Sequence, residues 1–317
     1  MPWRRTKSPM ERVRPMHIRA LAALLACLLP AVTGAAPADR ETPIYLLEMG
    51  YDGGDYALLV DKQEQLLYLY RGTGDGPRLY KQFRCTTGRN NKGAKLREGD
   101  LKTPNGVYFF RGILEDEQLP EKYGVRAFTM DYPNDFDRLR NKTGGGIWLH
   151  AVNESDRVEK SYDTEGCVVV TNSDIMELSG YIALWHTPII VDDSLVTVGS
   201  ETYQRERTKV LDFIGEWEHS WENKRIDRYM ACYDERFSGY GRTKARHRAH
   251  KQRLNEVYKE IKVDLTDINV FAFHNYLVVS FRQEYRSDRY HSVGRKKLYL
   301  TRDGDSYRIL SERISRM

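Results

Sequence analysis

The sequence predicts a mainly β domain followed by an α+β cone, and three observations carry that expectation. Short strand-like runs separated by Gly, Pro, Asn and Asp turns fill residues 55–199, with one good helix among them. After about Ser200 the order becomes helices first and strands afterwards. Charge changes sign at the same place: Lys plus Arg minus Asp plus Glu is −7 over 36–200 and +7 over 201–317. At 317 residues and 40% hydrophobic, the chain is long enough for two ordinary cores.

Residues 1–36 read as a secretory signal peptide. Arg4, Arg5, Lys7, Arg12, Arg14 and Arg19 precede the apolar run Ala20 to Leu29, and the small residues Thr33, Gly34, Ala35 and Ala36 follow Pro30. The run is too short for a membrane span. An uncleaved anchor is the other reading, and Leu24-Leu25-Ala26-Cys27 loosely matches a lipid-anchor processing site, although the apolar run continues past Cys27. Export to the periplasm is the expectation. Removing the basic leader leaves a nearly neutral chain, which takes away any global argument for nucleic-acid binding.

Residues 37–54 form an N-terminal segment without a strong pattern. From there Tyr56 to Asp61 and Gln65 to Arg71 read as a hairpin around Lys62-Gln63-Glu64. Further strands are expected at Tyr80 to Thr87, Gly106 to Gly112, Ala127 to Met130, Gly146 to His150, Cys167 to Val170 and Thr187 to Val191, with a helix over Asn172 to Leu184. In the second half, Val210, Phe213, Ile214, Trp217 and Trp221 recur at helical spacing within Arg205 to Lys224, and Asp227 to Tyr233 continues that pattern. A basic helix over Lys244 to Lys262 presents a solvated face. Strands are expected at Ile268 to His274, Tyr276 to Tyr285, Val293 to Thr301 and Ser306 to Glu312, the last two joined by an Asp303-Gly304 turn.

Of the four cysteines, Cys27 leaves with the signal, so Cys85, Cys167 and Cys232 remain. An odd number in an oxidising compartment leaves at least one thiol unpaired within a monomer. Cys85 and Cys232 lie in strand-like and helix-like runs and read as small buried hydrophobes. No Cys or Cys/His pair has metal-ligand spacing, so neither a metal nor another cofactor is expected. Cys167 differs because it directly follows Gly166 at the head of an apolar strand. A glycine there lets a substrate approach the backbone, and amides at such a turn can donate to an oxyanion. A cysteine nucleophile also needs a base, and His150, at a strand end 17 residues earlier, is the nearest candidate. Taken alone, both residues read as structural core rather than as a site.

A longer series changes that balance. Lys95, Gly99-Asp100, Thr103-Pro104-Asn105-Gly106-Val107-Tyr108, Tyr123-Gly124, Asp131-Tyr132-Pro133-Asn134, Gly146-Ile147-Trp148-Leu149-His150 and Thr164-Glu165-Gly166-Cys167 follow one another in order. The series resembles the catalytic domain of the L,D-transpeptidase (YkuD) family over roughly 55–192. The resemblance implies a β-sandwich with Cys167 as nucleophile, His150 as base, the Ala151 carbonyl holding the imidazole, and the Gly166 and Cys167 amides as oxyanion donors. Tyr132, Trp148, Arg126 and Thr164 become candidates for substrate binding. The implied substrate is a peptidoglycan stem peptide, attacked at the L-centre of meso-diaminopimelate to give a thioester. An amine then yields a cross-link, and water yields carboxypeptidase activity.

One departure narrows the match. The commoner family motif is Ser-x-Gly-Cys-(Ile/Val)-Arg, but here Thr164 and Val169 occupy the serine and arginine positions. This form resembles the branch of cell-shape L,D-carboxypeptidases and of relatives that detach envelope lipoprotein from peptidoglycan. The pattern over 200–317 resembles an NTF2-like cone, read as a binding or homodimerising module without an evident acid/base set, with anionic wall polymer as one partner. Lipoprotein release and a non-catalytic wall-binding role are the alternatives.

Overall fold

The computed structural model describes residues 41–50, 55–91, 93–154 and 156–316. The expected signal peptide lies outside them. Strands β1 (Thr42–Pro43), β2 (Leu46–Glu48), β3 (Tyr56–Asp61), β4 (Leu66–Arg71), β5 (Arg78–Arg84), β6 (Gly106–Glu115), β7 (Arg126–Met130), β8 (Trp148–His150), β9 (Val168–Val169), β10 (Pro188–Asp192) and β11 (Thr197–Val198) make up the first half. Helices α1 (Asp135–Leu139), α2 (Asp156–Glu159) and α3 (Asn172–Leu178) connect them. The second half comprises α4 (Ser200–Glu222), α5 (Ile226–Ala231), the short strands β12 (Ser238–Gly239) and β13 (Arg242–Thr243), α6 (Lys244–Val257), and long strands β14 (Ile261–Phe273), β15 (Tyr276–Ser287), β16 (His291–Asp303) and β17 (Ser306–Arg316). Among the described residues, no helix is long and apolar enough to cross a membrane.

Eight strands form one sheet in the order β5-β4-β3-β10-β6-β7-β8-β9. The sheet curls until its edges meet: Thr86, just past β5, exchanges two backbone hydrogen bonds of 2.9 Å with Val169 of β9. The two halves therefore face each other around a shared interior. Alternation along each strand sorts its side chains between two cores. Leu58 and Val60, Tyr108 and Phe110, and Ile189 and Val191 point inward with Phe128, Leu149 and Val168. The intervening Ala57 and Leu59, Val107 and Phe109, and Ile190 point outward.

Those outward residues are buried as well, because the second half packs on them. Phe271, Phe273, Tyr276, Val278, Tyr299 and Leu310 complete that core from the long antiparallel sheet. The opposite face of this sheet, with Val270, Leu277, Val279, Phe281, Leu298 and Ile309, closes over Trp217, Trp221 and Tyr229 of α4 and α5. β3 is thus buried along almost its whole length, as expected of a strand covered on both faces.

Four elements differ in place or length from the sequence reading. β2, within the patternless segment 37–54, is the fifth strand of the C-terminal sheet, pairing Leu46 with Phe271 and Glu48 with Val270. α6 stops at Val257, and β14 begins at Ile261 because Ile261 and Val263 alternate with exposed Lys262 and Asp264. The helix after Thr171 lasts only to Leu178 before a 3-10 turn at Ser179–Tyr181.

Candidate active site

β8 and β9 run parallel with Leu149 opposite Val168 and His150 opposite Val169. This parallel register sets Cys167, just before β9, level with Trp148 at the start of β8, and His150 and Cys167 line the same cleft of about 360 Å³. His150 is buried, and its Nδ1 lies 2.6 Å from the Ala151 carbonyl. A carbonyl only accepts, so Nδ1 carries the proton and Nε2 keeps its lone pair. The ring meets Tyr123 edge-on with centroids 4.9 Å apart. Burial pushes the imidazole down to about 4; the Ala151 hydrogen bond opposes this, while nearby Arg157 and Lys122 add to it.

Cys167 is half-buried, with Sγ 3.6 Å from the Gly146 carbonyl. Burial raises its thiol to about 11 against a hydrogen bond from the Trp148 backbone. The resting pair is therefore neutral thiol and neutral imidazole. Thr164 buckles the turn that presents the cysteine: its Oγ1 accepts from the Gly166 amide at 3.0 Å and donates to the Cys167 carbonyl at 2.8 Å. Gly166 has φ +132°, and a Cβ there would lie 2.7 Å from the Lys102 carbonyl, so glycine is required twice over.

This geometry revises several expectations. The Gly166 amide is spent on Thr164, which leaves the Cys167 amide as the donor at this turn. Thr164 lines the cleft but serves the turn itself. The Trp148 ring does not line the cleft and packs on Tyr123 with centroids 5.1 Å apart, while its backbone meets Cys167. Tyr132 is buried, donates to the Thr143 carbonyl at 3.1 Å and packs on Tyr108, while Arg126 pairs with Glu115 at 2.8 Å. Neither lines the cleft, because the core and an ion pair have already claimed them.

Sequence reasoning assigned no role to the charged walls of this cleft. Lys95 pairs with Asp100 at 2.6 Å. Although burial opposes ionisation of Asp100, Lys95 and the amides of Leu96, Arg97 and Lys102 hold its carboxyl at about 2. Lys95 and Asp100 stood in the series of family-like residues, but their pairing has no signature in spacing. Arg89 and Lys122 add positive charge, and Arg157 is tied to Asp163 at 3.0 Å.

Cys85 and Cys232 are buried free thiols, with burial raising both. Among the described residues, Asp55, His186 and Asp267 place possible ligand atoms within 4.8 Å of one another. His186 is already bonded to Asp55 at 2.5 Å, and Asp267 to Arg295. The cone holds a second cavity of about 340 Å³, which corrects the reading of the basic helix as a solvated face at two of its positions. His247 and Lys251 turn inward: Lys251 Nζ lies 3.4 Å from the centre of the Trp221 ring, and Glu312 lies 3.4 Å from Lys296 and 3.6 Å from His247.

Comparison with known proteins gives the family of each domain. Residues 55–191 match the YkuD L,D-transpeptidase catalytic domain, and residues 209–313 match the Cds6 C-terminal NTF2-like domain. The solved structure of Bd1075 from Bdellovibrio bacteriovorus is 33% identical with a TM-score of 0.78, covering 88% of this chain and 99% of that one. The helical cell shape determining protein Pgp2 from Campylobacter jejuni is 25% identical with a TM-score of 0.69, covering 86% and 95%. The putative L,D-transpeptidase YafK of Escherichia coli K12 is 25% identical over 193 residues, 60% of this chain and 72% of that protein. The chain belongs to the L,D-transpeptidase family and joins a YkuD catalytic domain to a C-terminal NTF2-like domain.

Proposed function

We propose that this protein is an exported cysteine acyltransferase of the cell envelope that acts on peptidoglycan stem peptides through a thioester on Cys167. The observation that carries the reading is the His150 ring, locked by the Ala151 carbonyl so that its free Nε2 serves the cleft it shares with Cys167. As Sγ attacks the carbonyl carbon at the L-centre of diaminopimelate, Nε2 takes the thiol proton. The oxyanion is met by the Cys167 amide. When it collapses, His150 returns the proton to the nitrogen of the departing D-amino acid and the thioester remains. Water or an amine then attacks the thioester, loses a proton to His150, and regenerates the thiol. Arg89 and Lys122 offer their charge to the stem peptide's carboxylates, in place of the arginine that the commoner motif has where this chain buries Val169.

Mass spectrometry of tetrapeptide muropeptides incubated with wild type and Cys167→Ala tests the proposal. Tripeptide reports hydrolysis and a dimer reports cross-linking. Either product from wild type and none from the variant supports the thioester route. Equal inertness of the two proteins sinks it and returns the chain to a wall-binding role.

A further inference from the structure

One cavity belongs to neither domain alone. It is a space of about 590 Å³ at their seam, bordered by Asp131 and Trp185 from the catalytic side and by Arg295, Lys297 and Arg313 from the long sheet. Five cationic side chains and two carboxylates line it. Some of those cations are spent: Arg138 and Arg313 both pair with Asp135. Arg295 pairs with Asp267 through Nη2, but its Nη1 and Lys297 Nζ are buried without a hydrogen-bond partner, a condition that disfavours each such donor until an acceptor arrives. Lys297 Nζ sits 3.0 Å from the centre of the Phe109 ring, and burial pushes its pKa down while the charge of Asp131 draws it back up.

Between these cations stands an unusual aromatic. Trp185 is 49% exposed. It is held at φ +65°, with its amide bonded to the Phe110 carbonyl at 2.7 Å. The Arg111 guanidinium lies 5.6 Å and Lys297 Nζ 5.9 Å from its ring. The indole is a flat apolar platform beside donors that lack an acceptor, and the Asp131 carboxylate and Ser315 hydroxyl border the same space. An inorganic anion would satisfy the donors and leave the platform unused. A neutral sugar would use the platform and leave the donors unmet.

We propose that the seam cavity binds a sugar bearing a carboxylate, its ring against Trp185 and its acid group on Lys297, Arg295 and Arg111. The volume lies in the ordinary range for small-ligand pockets. The site shares no lining residue with the Cys167 cleft and only Ile314 with the cone cavity, and it stands whether or not the thioester reading holds.

Calorimetric titration of the intact protein with glucuronic acid, glucose and inorganic phosphate tests this. Glucuronate is expected to bind saturably in the millimolar range or tighter, with glucose and phosphate each about tenfold weaker or more. Lys297→Met and Arg111→Ala are each expected to weaken glucuronate about tenfold, and Lys251→Met in the cone to leave it unchanged. Arg111 is exposed, so its variant keeps the test valid if Lys297→Met fails to fold. No saturable glucuronate binding, equal binding of phosphate, or a loss confined to Lys251→Met overturns the proposal. Muropeptide turnover, measured separately, is expected to be the same in Arg111→Ala as in wild type.

Discussion

Neutral thiol and neutral imidazole make a strong statement about how Cys167 is activated, and alkylation tests it. With the thiol at about 11, the thiolate fraction at pH 7 is ~10⁻⁴, against ~3% for an ordinary cysteine, so iodoacetamide should react with Cys167 ~300-fold more slowly. With His150 at about 4 and Cys167 at about 11, burial favours the neutral form of each and disfavours a preformed ion pair. Proton transfer must then accompany attack on a bound carbonyl rather than precede it. The assay is peptide-resolved alkylation as a function of pH, which separates Cys167 from the two buried thiols. The rate should rise about tenfold for each pH step and show no plateau near neutrality. A flat rate from about pH 5 to about pH 8, with thiolate absorbance at neutral pH, would refute the concerted scheme.

Three further outcomes follow from named contacts. Thr164→Val strands the Gly166 amide and the Cys167 carbonyl; it should cost about 2–4 kcal/mol in urea unfolding and lower kcat more than it raises KM, whereas Thr164→Ser should behave as wild type. His150 and His247 both sit near 4 when folded, against 6.5 unfolded. Above 6.5 both states are neutral; between 6.5 and about 4 the unfolded chain takes protons the folded one refuses, so stability falls with pH by about 3 kcal/mol per histidine. A His150→Gln/His247→Gln double variant should lose far less between those pH values, and an unchanged acid slope would count against the burial argument. Phe271, which meets Phe109 at 6.0 Å in the core between the domains, should cost about 3–5 kcal/mol as Phe271→Ala. Trp fluorescence from the cone and Cys167 reactivity should then shift to one common midpoint; separate midpoints would show that the halves unfold independently.

What was legible in the sequence was whatever repeats with a short period or stands alone chemically. Alternation located β3, β4 and most of the long strands, and Trp217 and Trp221 marked α4, because those patterns are local consequences of burial on one face. β2 escaped since three residues carry no period, and its partner β14 lies more than two hundred residues away. The same limit governs the site. Cys167 after Gly166 and a histidine at a strand end could be picked out. The bond that matters most at the turn, Thr164 to Gly166, could not, although the three residues are nearly adjacent. The resemblance implied two oxyanion amides from main-chain position, but one threonine oxygen decides which amide is unspent.

The charged residues of the second half make the point more sharply. Lys244, Arg246, Arg248 and Lys251 look alike on a basic helix, yet Lys251 alone of these four is buried, over Trp221 and near Glu312. Helical spacing does separate it from the others, but a lysine on the inward face contradicts the usual cost of burying charge. Sequence logic therefore assigns it to solvent unless an acid is known to wait inside. Glu312 is that acid, sixty-one positions later and on the last strand. The same holds for Lys297 and Asp131 at the seam, which come from different domains. Residues whose burial is tolerated only because of a distant partner are invisible one at a time, and binding cavities are built from such residues. A sequence therefore discloses a nucleophile and its base more readily than it discloses what the protein holds.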